Sequence, residues 1–261
     1  MDTHDHLNDM DLDDINRLGD VEMNNIDDDM ENIPHVESMT NMKSNSGYQS
    51  LSAVEPKNIL TNQQCTYDYD IVDWHLQETI ANQEPPQLLM IIPGEGGVGK
   101  SKTLQTITEN FAAHGVAHVL VKAAYTGIVA STIKGQTIHV IAMIPVNSEH
   151  QSAKTLKKLE ALWAHKKYLA IDKMSMVSKQ LFAKLSRIIS RAKGFTNTEQ
   201  TDLPFGGLNV ILLGDFHQFP PVLSQKSAPL YWPCNPSQDS EETLAGRKLY
   251  ECFKMVVLLK E

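Results

Sequence analysis

The sequence predicts an α/β fold built on a parallel sheet. From Pro56 onward, short apolar segments alternate with longer segments whose apolar residues recur every three or four positions, the period of helices that cover a sheet. Two of the apolar segments are closely followed by an acidic residue, and a third runs into a glycine-rich loop. Because parallel sheets bind ligands at the carboxyl ends of their strands, the chemistry is predicted to lie in these loops.

The individual elements follow from apolar patterns and their boundary residues. Gly115 is placed to end the helix after the glycine-rich loop, and Ser178 can cap the last predicted helix. The predicted strands are 88–92, 119–121, 168–171 and 209–213, and the predicted buried stripes of the helices are Leu104, Ile107 and Phe111; Leu156, Leu159, Leu162 and Trp163; and Leu181, Leu185, Ile188 and Ile189.

The first 42 residues differ in composition from the rest of the chain. They hold 13 acidic residues and the single Arg17, which leaves 19 acidic against 22 basic residues for the remainder. Without aromatic residues or a sustained apolar period, such a segment cannot bury enough surface to offset its ordering entropy. We predict a disordered acidic tail over 1–55, acting as a solvated linker or as an acidic interaction arm, and one domain over 56–261.

The cysteines and the apolar runs bear on location. Cys65, Cys234 and Cys252 are isolated, without the C-x-x-C pairs of zinc sites, which favours a reducing compartment. No signal peptide is visible at the N-terminus, and no apolar run approaches the length of a membrane span. The sequence therefore predicts a soluble intracellular protein that does not bind membranes.

The segment GEGGVGKS at 94–101 fits the G-x-x-x-x-G-K-[ST] template of a loop that binds nucleoside triphosphates. Its glycines let successive N–H groups face phosphate oxygens, Lys100 supplies a positive charge, and Ser101 offers a hydroxyl to Mg²⁺. The alternative, a glycine-rich turn that matches by chance, is weakened by the strand before it and the helix after it. The predicted ATP contacts in this loop are Gly94, Gly96, Gly97, Val98, Gly99, Lys100, Ser101 and Lys102.

Two acidic residues complete the predicted phosphate site. Asp172 follows the strand 168–171, and Asp215 follows the strand 209–213. An acid directly after a buried strand, in a chain with a phosphate loop, is the expected second partner of Mg²⁺, and Asp172 fits that role best. Taken alone, an Asp at a strand end is more often a turn residue or a helix cap.

Three further segments stand in a fixed order after the loop. They are AYTGIVA with GQTIH at 124–130 and 135–139, IDKMSMV at 171–177 and GDFHQFPPV at 214–222. Together with the loop they resemble the motifs of the PIF-one-like DNA helicases of superfamily one, including the copies carried by Helitron transposons. The family's corresponding segments are A-x-T-G-x-x-A with G-x-T-I-H, I-D-E-x-S-M-V and G-D-x-x-Q-L-P-P-V.

The resemblance implies a P-loop NTPase with a RecA-like sheet, the first motor domain of an ATP-dependent DNA helicase that moves five-prime to three-prime. It implies ATP and Mg²⁺ as cofactors, single-stranded DNA or DNA junctions as partners, a nuclear location, and roles in DNA recombination, DNA repair and telomere maintenance. Gln64 would read adenine, and Gln218 would sense the γ phosphate beside Lys100 and Asp172. The DNA contacts would be Tyr125, Thr126, Gly127 and His139.

Two departures from the family pattern change the expected chemistry. Position 173 holds Lys where the family has the Glu that activates the attacking water, and an ammonium has no acceptor for that proton. We expect Lys173 to impair hydrolysis, and a pairing with Asp172 would also weaken Mg²⁺ binding. The sequence also ends where the family's second motor domain would begin, which is typical of a truncated copy or an incomplete gene model.

Three functions therefore remain open. The motifs favour a DNA helicase, whereas Lys173 favours a nucleotide-binding module without efficient turnover. A P-loop kinase for small molecules would need an acceptor site and a lid that the sequence does not reveal. Lysines 154, 157, 158, 166 and 167 could form a face that follows DNA phosphates, although an ordinary solvated surface explains them better.

Overall fold

The structure is a computed structural model that describes residues 67–144, 152–194, 203–221 and 229–259. Every structural statement below concerns these residues. The predicted acidic tail, the candidate adenine contact Gln64 and the motif residue Val222 lie outside them.

Seven α-helices and six strands make up the described part of the chain, with short 3₁₀ turns between them. The strands are β1 (Leu89–Pro93), β2 (Leu120–Ala124), β3 (Gln136–Thr137), β4 (Tyr168–Asp172), β5 (Asn209–Gly214) and β6 (Met255–Val256). The helices are α1 (Tyr67–Ile80), α2 (Lys100–Ala113), α3 (Gly127–Thr132), α4 (Ile138–Ile141), α5 (Ala153–Trp163), α6 (Lys179–Gly194) and α7 (Glu241–Glu251).

The six strands form one parallel sheet in the order β3-β2-β4-β5-β1-β6. Strand β5 lies between β1, which precedes the phosphate loop, and β4, which ends at Asp172. The Asn209 side chain fixes this arrangement at the amino end of β5. Its Oδ1 accepts the Leu88 N–H at 2.8 Å, and its Nδ2 donates to the Lys167 carbonyl at 3.0 Å.

Helices cover both faces of the sheet because its strand residues alternate between two cores. Ile91 packs with α5 and α6 on one face, whereas its neighbours Met90 and Ile92 pack with α1 and α2 on the other. Strands β4 and β5 are buried along their whole length, as expected for central strands of a parallel sheet. This confirms the predicted α/β fold with helices flanking a parallel sheet.

Most predicted elements are present with shifted ends. The strand predicted at 119–121 is observed as β2, Leu120–Ala124, because it continues into the small buried pair Ala123 and Ala124 that carries no β-branched signal. Ser178 caps α6 as predicted, with its Oγ accepting the Leu181 N–H at 3.1 Å. The predicted stripe of α6 was partly wrong, since Leu181 is half-buried and Phe182 is fully buried.

The last strand and the residues after it run alongside β1. The Val257 N–H donates to the Ile91 carbonyl at 2.9 Å, and the Leu259 N–H donates to the Pro93 carbonyl at 3.0 Å. None of the helices in the described ranges is both long and apolar enough to cross a membrane.

Helices α6 and α7 approach so closely that only glycine fits at position 246. A Cβ built there would lie 2.6 Å from the Lys179 carbonyl carbon and 2.8 Å from its Cα, and would also meet the Lys179 carbonyl oxygen. These are main-chain atoms at the start of α6, which follows the Asp172 turn. The Gly246 contact therefore holds the first residue of α6 against α7.

We predict that Gly246→Ala lowers the free energy of unfolding by about 2–3 kcal/mol, because the neighbouring backbone cannot yield as a side chain would. Gly127→Ala is the matched control, since Gly127 opens α3 and a Cβ there meets nothing within 4 Å. Urea denaturation of both variants measures the difference, and equal stability of the two would contradict the packing described.

Candidate nucleotide-binding site

The predicted site residues meet at the carboxyl edge of the sheet. Pro93, the last residue of β1, pairs in register with Gly214 at the end of β5, and Asp172 at the end of β4 pairs with Ala124 at the end of β2. The residues that follow these four strands therefore share one edge. They are the phosphate loop, the Asp172 and Asp215 turns, and the Tyr125 segment.

The phosphate loop has the backbone shape that its glycines allow. Gly97 has φ 92° and Gly99 has φ 95°, both in the left-handed region that is strained for other residues. At Gly94, a Cβ would lie 2.7 Å from the Val98 side chain, so the loop closes on itself there. Helix α2 begins at Lys100, directly after the loop, and its first N–H groups and dipole favour an anion at this end.

Lys100 lies against the loop that it would serve. Its Nζ donates to the Gly94 carbonyl at 2.6 Å and also to the Glu95 carbonyl, and the side chain is buried. Burial lowers the pKa of the Lys100 ammonium; Asp215 and Asp172 oppose this shift, whereas Lys173 adds to it. Ser101 and Lys102 follow on the exposed first turn of α2, where both side chains face solvent.

Two buried carboxylates lie beside the loop. Asp172 is 4% exposed and accepts the main-chain N–H of Lys173 at 2.8 Å, and Asp215 is 7% exposed and accepts the main-chain N–H of His217 at 2.9 Å. The described residues contain no group of three or more His, Cys, Asp or Glu able to hold a metal alone.

Lys173 has an unusual backbone conformation directly after Asp172. It has φ 57° and ψ 47°, the left-handed conformation, at the turn that leaves β4. Its Nζ donates to Gln218 Oε1 at 2.8 Å. The expected pairing of the Lys173 ammonium with Asp172 is therefore not what forms, since Asp172 receives the main-chain N–H and the ammonium reaches Gln218.

Gln218 in turn lies beside the phosphate loop. Its Nε2 is 3.6 Å from the position that a Cβ would take on Gly96. Its main-chain N–H donates to the Asp215 carbonyl at 3.3 Å, which holds the residue in the turn after β5. The structure thus brings together Lys100, the adjacent pair Asp172 and Lys173, and Gln218, which come from three segments far apart in the sequence.

The candidate DNA contacts lie at the same edge, beside the end of β2. The rings of Tyr125 and His139 meet edge to face, with centroids 5.7 Å apart. Thr126 caps α3, since its Oγ1 accepts the Val129 N–H at 3.4 Å, and Gly127 is the first residue of that helix. Desolvation lowers the pKa of His139, and the Lys184 charge lowers it further, while the residue remains exposed to solvent.

A cavity of about 320 Å³ opens next to Tyr125 and His139. Its wall includes Gln180 and Lys184 from α6 and Glu242 from α7, none of which the sequence analysis selected. These residues come from helices remote in sequence and match no motif, so their position depends on how α6 and α7 pack.

Two residues of the candidate lysine face lie at the edge of the sheet opposite to the candidate site. Lys166 and Lys167 precede β4 and so lie at the amino edge of the sheet, opposite the end that carries Tyr125. Lys166 Nζ donates to the His118 carbonyl at 2.6 Å. Lys166 and Lys167 therefore lie away from the Tyr125 segment, as is compatible with the ordinary solvated surface that the sequence favours for them.

Several known proteins are similar to this chain in sequence and in fold. A family model described as PIF1-like helicase matches residues 66–234. The ATP-dependent DNA helicase RRM3 of Saccharomyces cerevisiae is 36% identical over 135 residues, which are 49% of this chain and 18% of the yeast protein. The human ATP-dependent DNA helicase PIF1 is 32% identical over 147 residues, 53% of this chain and 21% of the human protein.

Among solved structures, the Pif1 helicase from Candida albicans superimposes with a TM-score of 0.50 at 24% identity, covering 78% of this chain and 40% of that chain. This likeness supports the RecA-like fold. The chain spans about a fifth of the length of the curated relatives named above. Since the family model covers well over half of the sequence, the chain belongs to the PIF1-like helicase family.

Proposed function

We propose that the domain predicted over 56–261 is the ATP-binding motor domain of a DNA helicase. The observation that carries this proposal is the meeting of a glycine-rich phosphate loop, Lys100, two buried carboxylates and Gln218 at one sheet edge. The relatives RRM3 and PIF1 are named ATP-dependent DNA helicases, which supports the same activity for the protein to which this domain belongs.

In this proposal the loop residues and the first turn of α2 bind the phosphates of ATP. Lys100 would exchange the Gly94 and Glu95 carbonyls for phosphate oxygens, which are stronger acceptors because they are charged. Ser101 and Asp172 would hold Mg²⁺, which neutralises charge on the phosphates when bound. Gln64 is proposed as the adenine contact by resemblance alone.

The Tyr125 segment is proposed to bind single-stranded DNA or the single-stranded arm of a junction. Tyr125 and His139 offer ring surfaces for base stacking, and the N-terminus of α3 at Thr126 and Gly127 can approach a phosphate closely. Movement from five-prime to three-prime is proposed by family resemblance.

A second candidate function is ATP binding with slow hydrolysis, favoured by the Lys173–Gln218 contact. The general base is replaced by an ammonium that has no acceptor, and that ammonium binds the side chain proposed to sense the γ phosphate. Loss of a general base typically costs about 10²- to 10⁴-fold in rate. We favour this description of the domain's own catalytic capacity within a helicase family.

The cellular roles follow only from the proposed activity on DNA. We propose a nuclear location and participation in DNA recombination, repair or telomere maintenance, or in the movement of a Helitron-type transposon. Direct support from residues is confined to the nucleotide site and the Tyr125 segment.

Mg²⁺-ATP is expected to raise the melting temperature, because a ligand that binds only the folded state stabilises it. At 100 times Kd the gain is about 2.7 kcal/mol, or about 5–10 °C for a chain of this size. Differential scanning fluorimetry measures the shift, and Lys100→Ala should abolish most of it. A chain that melts at the same temperature with and without millimolar Mg²⁺-ATP would contradict the proposed nucleotide site.

Lys173→Glu is expected to raise the rate of ATP hydrolysis by about 10²-fold, because a carboxylate at this position can accept the proton of the attacking water. Lys173→Gln is the matched control, since it removes the ammonium without supplying a base. Phosphate release with and without single-stranded DNA measures both. Fast hydrolysis by the unaltered chain, at a rate that Lys173→Glu does not improve, would overturn the account of slow turnover.

Tyr125→Ala is expected to weaken binding to single-stranded DNA by about 1–3 kcal/mol, the usual contribution of one stacked base. Fluorescence anisotropy with a labelled oligothymidylate measures the affinity. Trp74→Ala is the control, since Trp74 is an exposed aromatic residue on α1. If both variants bind like the unaltered chain, the Tyr125 ring does not contact DNA.

A further inference from the structure

We propose that the Lys173 ammonium binds the terminal phosphate of ATP, so that this site distinguishes nucleoside triphosphates from diphosphates. The inference rests on the proposed nucleotide site. It assigns a binding role to the lysine that stands in place of the general base.

The position of the ammonium supports a phosphate contact. Lys173 leaves the end of β4, yet its Nζ reaches Gln218 in the turn after the neighbouring strand β5, at 2.8 Å. The side chain therefore extends along the carboxyl edge of the sheet in the direction of β1 and its loop. Gln218 is the next contact in that direction, with its Nε2 3.6 Å from the Cβ position of Gly96. A single side-chain amide thus separates the Lys173 ammonium from the phosphate loop.

The backbone holds Lys173 in this orientation. Its left-handed φ of 57° redirects the chain directly after the strand, and its N–H is bonded to Asp172 Oδ1. The next residue, Met174, packs so tightly on β5 that a Cβ on Gly214 would lie 2.8 Å from the Met174 Cγ and 2.9 Å from its nitrogen. The fixed turn sets the direction in which the Lys173 side chain leaves the backbone, and the bond to Gln218 places its ammonium at the end of a flexible four-carbon stem.

The charges at this edge also favour the contact. The Lys173 charge is near enough to Lys100 to lower the pKa of the Lys100 ammonium, so the two cations lie close to each other. Both would attract a terminal phosphate, although the buried Asp172 and Asp215 offset part of this positive charge. An ammonium has three donors and the Gln218 bond uses one, so Lys173 can hold Gln218 and a phosphate oxygen together.

The consequence is a site selective for the triphosphate. ADP retains the phosphates that the loop and Lys100 bind but lacks the one that Lys173 would reach. A charge-assisted hydrogen bond to a single phosphate oxygen corresponds to about tenfold in affinity. The chain would therefore favour a triphosphate over ADP at least tenfold, and Gln218 would be held against the same terminal phosphate.

The test compares the Kd for Mg²⁺-ADP with that for the Mg²⁺ complex of a β,γ-imido analogue of ATP, by titration calorimetry. We expect the unaltered chain to bind the analogue at least tenfold more tightly than ADP. Lys173→Met should reduce this preference to about twofold or less, mainly by weakening the analogue, and Lys173→Arg should retain most of it. Lys254→Met, at an exposed lysine before β6, should leave both affinities unchanged.

The outcomes distinguish failure of the Lys173 inference from failure of the proposed nucleotide site. Equal affinity of the unaltered chain for the two nucleotides overturns the inference without any variant, as does an unchanged preference in a folded Lys173→Met. Failure of the unaltered chain to bind either nucleotide contradicts the proposed nucleotide site itself. If Lys173→Met does not fold, Lys173→Gln takes its place, since it also removes the charge and should lose the preference that Lys173→Arg retains.

Discussion

The register of three parallel strands is the constraint on which the candidate site depends. Strand β5 must lie between β1 and β4 with all three ending together, or the phosphate loop, Asp172 and Gln218 would not meet. The Asn209 amide supports this register from the other end of the sheet, where its two hydrogen bonds join the segments that enter β1 and β4. The candidate chemistry at one edge thus depends on a polar side chain at the opposite edge.

The proposed site combines a glycine loop whose shape suits a phosphate with a lysine at the proposed catalytic position. The loop glycines, Lys100 and the start of α2 have the backbone geometry of an anion site. At Lys173 the expected acceptor of a proton is replaced by a donor of hydrogen bonds. The two observations are compatible, because a positive charge favours the binding of an anion whereas the activation of a water molecule requires a proton acceptor.

The fold class and the phosphate loop were predictable because each depends on local sequence. Strand and helix periods, the glycine template and the acids after the strands all lie within short windows, and the structure confirms the fold they predicted. The contact of Lys173 with Gln218 and the cavity wall from α6 and α7 were not predictable, since they join residues far apart in sequence. Phe182 was missed although helical spacing places it with Leu185 and Ile189, three and seven residues further on, on the face that is buried.

The run of chain beside β1 gives the phosphate loop a mechanical connection. Val257 and Leu259 are bonded to the main chain of Ile91 and Pro93, and the Leu259 side chain lies next to Gly94, the first residue of the loop. A displacement of the segment after β6 would be transmitted to the loop through these two hydrogen bonds and the contact between Leu259 and Gly94. This short parallel pair therefore couples the position of the segment after β6 to the geometry of the proposed nucleotide site.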